Sequence, residues 1–160
     1  MLRPATAADA AAIAAIYNHY IANTVVTFEE TPVAPADIAQ RIAIVTADYP
    51  WLVLERDARI VGYAYAARFH NRSAYRFTVE TTVYVADGAR RGRIGTELYG
   101  ALLERLRMQK LHSALGVIAL PNEASVGLHE KLGFRKVGEF AEVGWKFGRW
   151  INVGYWQRAF

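Results

Sequence analysis

Val83-Tyr84-Val85-Ala86-Asp87-Gly88-Ala89-Arg90-Arg91-Gly92-Arg93-Ile94-Gly95-Thr96 is the stretch on which the reading of this chain turns. The β-branched and aromatic run from Phe77 to Val85 predicts a strand, and the Gly- and Arg-rich segment from Gly88 to Gly95 breaks it. From Thr96 to about Gln109, Leu98, Leu102 and Leu106, with Tyr99 and Leu103, recur at helical spacing. A strand that turns through such a loop into a helix offers unpaired backbone N–H groups and the positive end of a helix dipole. That combination suits a phosphate or pyrophosphate. Gly95 lets the backbone approach a ligand closely, and Arg90, Arg91 and Arg93 add positive charge. The same residues would equally make an ordinary solvated basic loop. Neither G-x-x-x-x-G-K-[ST] nor G-x-G-x-x-G is present, and no acid stands where a ribose-binding carboxylate belongs, so a P-loop and a Rossmann unit are both poor readings.

Outward from this junction, Ser113 to Leu120 reads as a strand, Asn122 to Leu132 as a helix stopped by Gly133, and Phe134 to Phe140 and Arg149 to Arg158 as closing strands. On the N-terminal side, Leu2 to Ala5 is a short edge strand, where Pro4 is tolerated. Thr6 and Asp9 resemble a capping box for a first helix that runs to about Ala22. Pro35 opens a second helix with Ile38, Ile42 and Val45 as its apolar stripe. Trp51 to Glu55 and Ile60 to Ala67 form a hairpin about Asp57-Ala58-Arg59. The order β-α-α-β-β-β-α-β-α-β-β predicts one α/β (α+β) sheet domain over residues 1–160.

The chain has 160 residues, 53% of them hydrophobic and 21% charged, the balance of a globular domain rather than a disordered one. With no cysteine, it has no disulfide, no thiolate metal site and no cysteine nucleophile; a reducing cytoplasm is compatible with this. No metal site is expected. The start lacks the basic-then-apolar pattern of a signal peptide, and no apolar run approaches the ~18 residues of a membrane span, so no membrane partner is expected. The formal net charge of +4 is a mild Arg excess. Its arginines lack interleaved aromatic residues, and nucleic acid is not an expected partner either.

The segment from Arg90 to Gly95 resembles the acetyl-CoA motif [QR]-x-x-G-x-[GA] of the GNAT N-acetyltransferases. It departs from that motif at Arg93, which stands in the place of the first glycine, with Gly92 one position earlier. Asn122, Ala124, Leu128 and Gly133-Phe134 match the N-x-x-A…G-F helix of the same family. A narrower likeness runs over almost the whole chain. Asn18-His19-Tyr20-Ile21, Tyr49-Pro50-Trp51-Leu52-Val53, Ser73-Ala74-Tyr75, Glu80-Thr81-Thr82-Val83-Tyr84-Val85, Leu120-Pro121-Asn122-Glu123, His129-Glu130 and Val153-Gly154-Tyr155-Trp156-Gln157 all resemble the phosphinothricin acetyltransferase subfamily.

The resemblance implies the GNAT acyl-CoA N-acyltransferase fold, a mixed and mostly antiparallel sheet with helices on both faces, split by a V-shaped opening. It implies acetyl-CoA as donor, held by Val83, Tyr84 and Val85, by Arg90, Arg91, Gly92, Arg93, Ile94, Gly95 and Thr96, and by Asn122. A backbone N–H near Val83 to Val85 would polarise the thioester carbonyl. Asn122, after Pro121, is in its own right a natural N-cap.

Glu80 lies in an otherwise apolar strand, where a carboxylate needs a partner or a raised pKa. It is either a general base or an outward-facing residue in a salt bridge; the resemblance places the subfamily's catalytic glutamate here. His129 is implied as an acid or donor at the active site, against the plainer reading of a surface or capping histidine. Phe28, Arg72 and Tyr75 match substrate-pocket positions, and otherwise read as core packing for the aromatics and exposure for the arginine. Trp51, Trp145, Trp150 and Trp156 read as core or interface. The expected reaction is transfer of acetyl to the α-amine of a small amino-acid-like acceptor, such as phosphinothricin or methionine sulfoximine or sulfone, by direct attack in a ternary complex. Another amine (an amino acid, a polyamine or a protein N-terminus) and a catalytically silent acyl-CoA-binding module are the alternatives. The relatives' habit implies a homodimer.

Overall fold

The computed structural model describes residues 1–89 and 93–160. Its elements follow the predicted order: β1 (Leu2–Pro4), α1 (Ala10–Asn23), α2 (Pro35–Thr46), β2 (Trp51–Arg56), β3 (Arg59–Arg68), β4 (Thr78–Val85), α3 (Ile94–Met108), β5 (Ser113–Leu120), α4 (Glu123–Lys131), β6 (Arg135–Lys146) and β7 (Arg149–Ala159). The start of α1 is set by Asp9, whose carboxylate accepts the Thr6 N–H at 2.8 Å and pairs with the Arg3 guanidinium at 2.8 Å. The Arg3 hydrogen bond holds that carboxyl at about 2, below its ordinary value. Pro35 fills the first turn of α2. Asp57 and Ala58, at φ 48° and 57°, make the left-handed pair that a two-residue hairpin turn requires between β2 and β3.

The strands form one seven-stranded sheet in the order β1-β2-β3-β4-β5-β7-β6. Every neighbouring pair is antiparallel except β4 with β5. On one face α1 and α2 bury Ile13, Tyr17, Ile21, Ile38 and Ile42 against Trp51, Val53 and Tyr63. On the other, Leu98, Leu102 and Leu106 of α3 pack on Leu52, Leu54 and Ala64, with Phe134 and Trp156 continuing that layer. The central strands are thus buried on both faces, which explains the unbroken apolar run in β2.

One reading needs correction. β6 does not stop near Phe140 but continues to Lys146, with register shifts at Lys136/Gly138 and Phe140/Gly144. Those irregularities break the two-residue alternation by which a strand is recognised. Trp51 and Trp156 are core residues, whereas Trp145 and Trp150 stand exposed on the hairpin, their rings 4.8 Å apart.

The feature that organises the function is a fork. The parallel ladder joins β4 to β5 only from Thr78↔Ser113 to Thr81↔Gly116. Beyond it β4 stays with β3 as far as Gly62↔Val85, and β5 stays with β7 as far as Leu120↔Asn152. The two halves of the sheet separate, leaving an open V between Thr82–Val85 and Val117–Leu120.

Candidate active site

Thr81 pins the apex of the V. Its hydroxyl donates to the Leu115 carbonyl at 2.9 Å and receives the Tyr99 hydroxyl at 2.7 Å, so a buried side chain takes over where the backbone ladder ends. Above the apex, antiparallel bonding alternates along β4. Ala86 donates its N–H to Val61 at 2.9 Å, which assigns Tyr84 and Thr82 to β3 and turns the backbone groups of Val83 and Val85 toward the open V. The Val85 carbonyl is taken by the Tyr20 hydroxyl at 2.7 Å. That leaves the Val83 and Val85 N–H groups lining the opening. Tyr84 contributes its ring instead, edge-on to Tyr17 and Tyr20 in the α1 layer.

Side chains on β4 alternate too. Val79 and Thr81 face α3, so Glu80 and Thr82 face the side of α1 and α2. Glu80 is half-buried and has no hydrogen bond or ion pair among the described residues. Burial pushes its carboxyl above the ordinary glutamate value, with the charge of His70 opposing. It borders two cavities. One, of about 270 Å³, runs through the fork and is lined by Tyr17, Thr27, Phe28, Tyr65, Val117 and His129 among others. The other, of about 580 Å³, lies between Phe69 and His70 on one side and Val137, Phe140 and Tyr155 on the other.

His129 enters the first cavity from α4. Its Nδ1 lies 2.8 Å from the Ser125 carbonyl, an acceptor only, so that nitrogen is assigned the hydrogen. The ring stands edge-on to Tyr99 and Phe134 at 4.9 and 5.1 Å. Its Nε2 presses on β5 at Gly116, where a Cβ would sit only 2.3 Å away. Burial pushes the imidazole below the ordinary histidine value, the Ser125 bond opposing. The ring is then neutral near pH 7 and Nε2 is an acceptor. The donor role implied from sequence requires a second proton, which burial disfavours.

The remaining expected residues divide by place. Asn122 caps α4, its Oδ1 accepting the Ser125 N–H at 3.1 Å, which leaves its amide N–H₂ for a ligand. Ile94, Gly95 and Thr96 form the first turn of α3, ahead of the first intrahelical bond from the Glu97 N–H to the Arg93 carbonyl at 2.8 Å. A Cβ on Gly95 would meet Leu128 at 3.2 Å and Val85 at 3.9 Å, so this residue sits between the open end of β4 and α4. Arg93 is exposed at the N-cap of α3, and Arg90, Arg91 and Gly92 lie outside the described residues. Phe28 lines the first cavity. Arg72 and Tyr75 line neither cavity; Arg72 is exposed, and the Tyr75 ring rests on Phe69 and His70 at 5.7 and 5.0 Å. The sequence reading did not single out His70, Thr81 or Tyr65. Gly116 within β5 marks the close approach of His129, as a glycine inside a strand can.

The acetyltransferase (GNAT) domain model matches residues 2–153. This chain belongs to the GNAT acetyltransferase family. It is 43% identical to a phosphinothricin N-acetyltransferase of Streptomyces viridochromogenes over 99% of its length and 87% of that protein's. It is 41% identical to an L-methionine sulfoximine/L-methionine sulfone acetyltransferase of Pseudomonas paraeruginosa, covering 98% of this chain and 92% of that one. Among solved structures, a GNAT superfamily phosphinothricin acetyltransferase from Sinorhizobium meliloti, in complex with acetyl-CoA, superposes with a TM-score of 0.96 at 38% identity. That match covers 99% of this chain and 87% of the other. The chain is an acetyl-CoA-dependent N-acetyltransferase of the GNAT fold. Its residues fit that donor. The V presents free backbone N–H groups along β4, a helix N-terminus at its mouth and a spare amide at Asn122, which are partners for a peptide-like arm and a pyrophosphate. Among the described residues no group of three or more His, Asp or Glu side chains converges as a metal site would.

Proposed function

We propose that this acetyltransferase acts on the α-amine of a small amino-acid-like acceptor of the phosphinothricin or methionine sulfoximine and sulfone type. The observation that carries this reading is Glu80, a half-buried carboxylate at the fork with no side-chain partner among the described residues, shared by two cavities. Acetyl-CoA supplies an acetyl thioester, an electrophile that an amine attacks once the amine has lost a proton. Glu80 faces the α1/α2 side and takes that proton, directly or through one water, and burial, by raising its pKa, makes it a stronger base than an ordinary glutamate. The Val83 and Val85 N–H groups hold the developing oxyanion; as it collapses the C–S bond breaks and coenzyme A leaves as a thiolate, which takes up a proton from Glu80 or from water. His129 is fixed by Ser125 and offers Nε2 as an acceptor to an N–H or water passing the fork, steadying the reacting groups on the α4 side. With no cysteine in the chain, the amine attacks the thioester without a thiol-borne acyl-enzyme.

Phe28 packs beside the acceptor in the first cavity, and the acceptor's side chain extends into the second. The β3–β4 connection that carries His70 also carries Arg72, a cation for the acceptor's carboxylate, and Tyr75, which braces His70. The exposed apolar hairpin β6–β7 supports a homodimer, and the absence of cysteine fits work in the cytoplasm.

The test is an amine screen with acetyl-CoA, read by thiol release. It would include phosphinothricin, methionine sulfoximine, methionine sulfone, plain amino acids, a polyamine and a peptide with a free N-terminus. Saturable release with the first three at the lowest KM is expected. Turnover confined to the polyamine or the peptide would overturn the acceptor assignment.

A further inference from the structure

The wall of the first cavity that carries Phe28 belongs to the connection between α1 and α2, residues 24–34, a segment without helix or strand. It is held from the far end of the chain. Lys146, the last residue of β6, is only 1% exposed, and its Nζ donates to the Thr27 carbonyl at 2.8 Å. No carboxylate lies within ion-pair distance of that ammonium among the described residues. Removing an ammonium from water without such a partner is costly, and an apolar side chain of similar length would fill the same space without that cost. What Lys146 supplies is a directed bond to one loop carbonyl, together with a charge attracted by the Glu30 carboxylate of the same segment from beyond ion-pair distance and seated 5.1 Å from the Phe147 ring centre.

Two residues earlier on the same face of β6, Gly144 receives the Phe28 ring. A Cβ at 144 would lie 2.3 Å from two of its carbons. Adjacent residues of the wall, Thr27 and Phe28, are thus held by alternate residues of one strand. Thr27 is fixed from the other side as well, its hydroxyl 2.8 Å from the Tyr17 hydroxyl. The strand is aimed by the irregularity between Phe140 and Gly144, where Glu142 takes φ 52° and donates its N–H to Asn152 Oδ1 at 2.9 Å. Bulges of this kind commonly redirect side chains beside active sites.

We propose that Lys146 is a positioning residue for the acceptor, clasping residues 24–34 to the β6–β7 hairpin so that Thr27 and Phe28 form the wall facing Glu80. The inference rests on the acceptor reading above. It separates acceptor binding from donor binding, because Val85, Gly95 and Asn122 lie outside the cavity that Thr27 and Phe28 wall.

The test uses the full chain carrying Lys146→Met, which keeps length and removes the donor, and separately Gly144→Ala, which displaces the Phe28 ring. Hydrogen exchange of residues 24–34 is measured in the free proteins, together with acceptor KM, kcat and coenzyme A affinity. For Lys146→Met we expect exchange in that segment to quicken at least tenfold, with α3 and β5 unchanged. Acceptor KM should rise about tenfold, the size of one lost hydrogen bond to a charged group, while coenzyme A affinity holds. Should Lys146→Met fail to fold, Gly144→Ala carries the same expectation for acceptor KM. Unchanged exchange in a folded Lys146→Met protein overturns the clasp. Faster exchange with unchanged acceptor KM, or an equal loss of coenzyme A affinity, overturns the positioning role. If the wild-type chain acetylates none of the screened amines, the acceptor reading fails, while quickened exchange confined to 24–34 still supports the clasp.

Discussion

Glu80 is under two opposing influences, burial raising its pKa and the charge on His70 lowering it, and burial prevails. Two consequences with different readouts follow from that shift. As general base, Glu80 must be ionised, so the acidic limb of the kcat profile should lie above the ordinary glutamate value of about 4.3. Replacing His70 with Gln removes the lowering influence and should move that limb to still higher pH. Glu80→Gln keeps the shape and removes the proton acceptor. Here kcat should fall about 10²–10⁴-fold, and the limb should vanish while coenzyme A affinity holds. The stability effect has the reverse sign. A carboxyl with a raised native pKa favours its protonated form in the fold, so that contribution is present below the unfolded value and lost as pH rises through the native one. Near pH 7 Glu80→Gln should therefore melt no lower than wild type and somewhat higher, the gap closing below about pH 4. Full activity in the folded variant would place the base elsewhere, and a marked drop in melting temperature with activity retained would assign Glu80 a structural role.

The elements that build the site differ in how openly the sequence declares them. Strand β4 and helix α3 are declared by periodicity, and Glu80 by being a lone carboxylate in an apolar strand. The fork is not. Thr82 to Val85 carry the same β-branched and aromatic pattern as the paired half of the strand, and only the departure of β5 leaves them open. The second cavity joins the β3–β4 connection to an edge strand some sixty residues later, a juxtaposition no local pattern records. The extension of β6 hid for a related reason, since its irregularities scramble the alternation. Gly95 was legible as a close-approach residue, but the neighbours that crowd it, Leu128 and Val85, come from two other elements. That crowding sharpens a prediction about the mouth of the V. An indole at position 95 must push Leu128 and the end of β4 apart or project into the opening beside the first N–H groups of α3. Calorimetry should show coenzyme A binding to Gly95→Trp weakened at least tenfold, and an unchanged affinity would remove the N-terminus of α3 from the donor site.

At the scale of the whole molecule, the sheet ends unequally. One edge is β1, a three-residue strand blunted by Pro4. The other is β6, twelve residues long, whose hairpin with β7 exposes Phe140, Val143, Trp145, Phe147 and Trp150, each more than half accessible. A long edge with apolar side chains invites association, yet both register shifts of β6 interrupt the straight row of backbone groups that edge-to-edge pairing needs. Side-chain packing against a second copy suits this hairpin better than an extended sheet, and a closed dimer avoids open-ended growth. The tryptophan pair is the natural anchor, because large aromatic residues at the centre of an interface carry most of its energy. Light scattering at micromolar concentration should give a mass near twice 17.9 kDa. Trp145→Glu combined with Trp150→Glu places two charges on that patch and should return the monomer. The fold should survive, since both side chains are already exposed and neither belongs to the two buried layers. A wild-type monomer at that concentration, or a double variant that remains dimeric, would show that the hairpin's aromatic face is not where two copies meet.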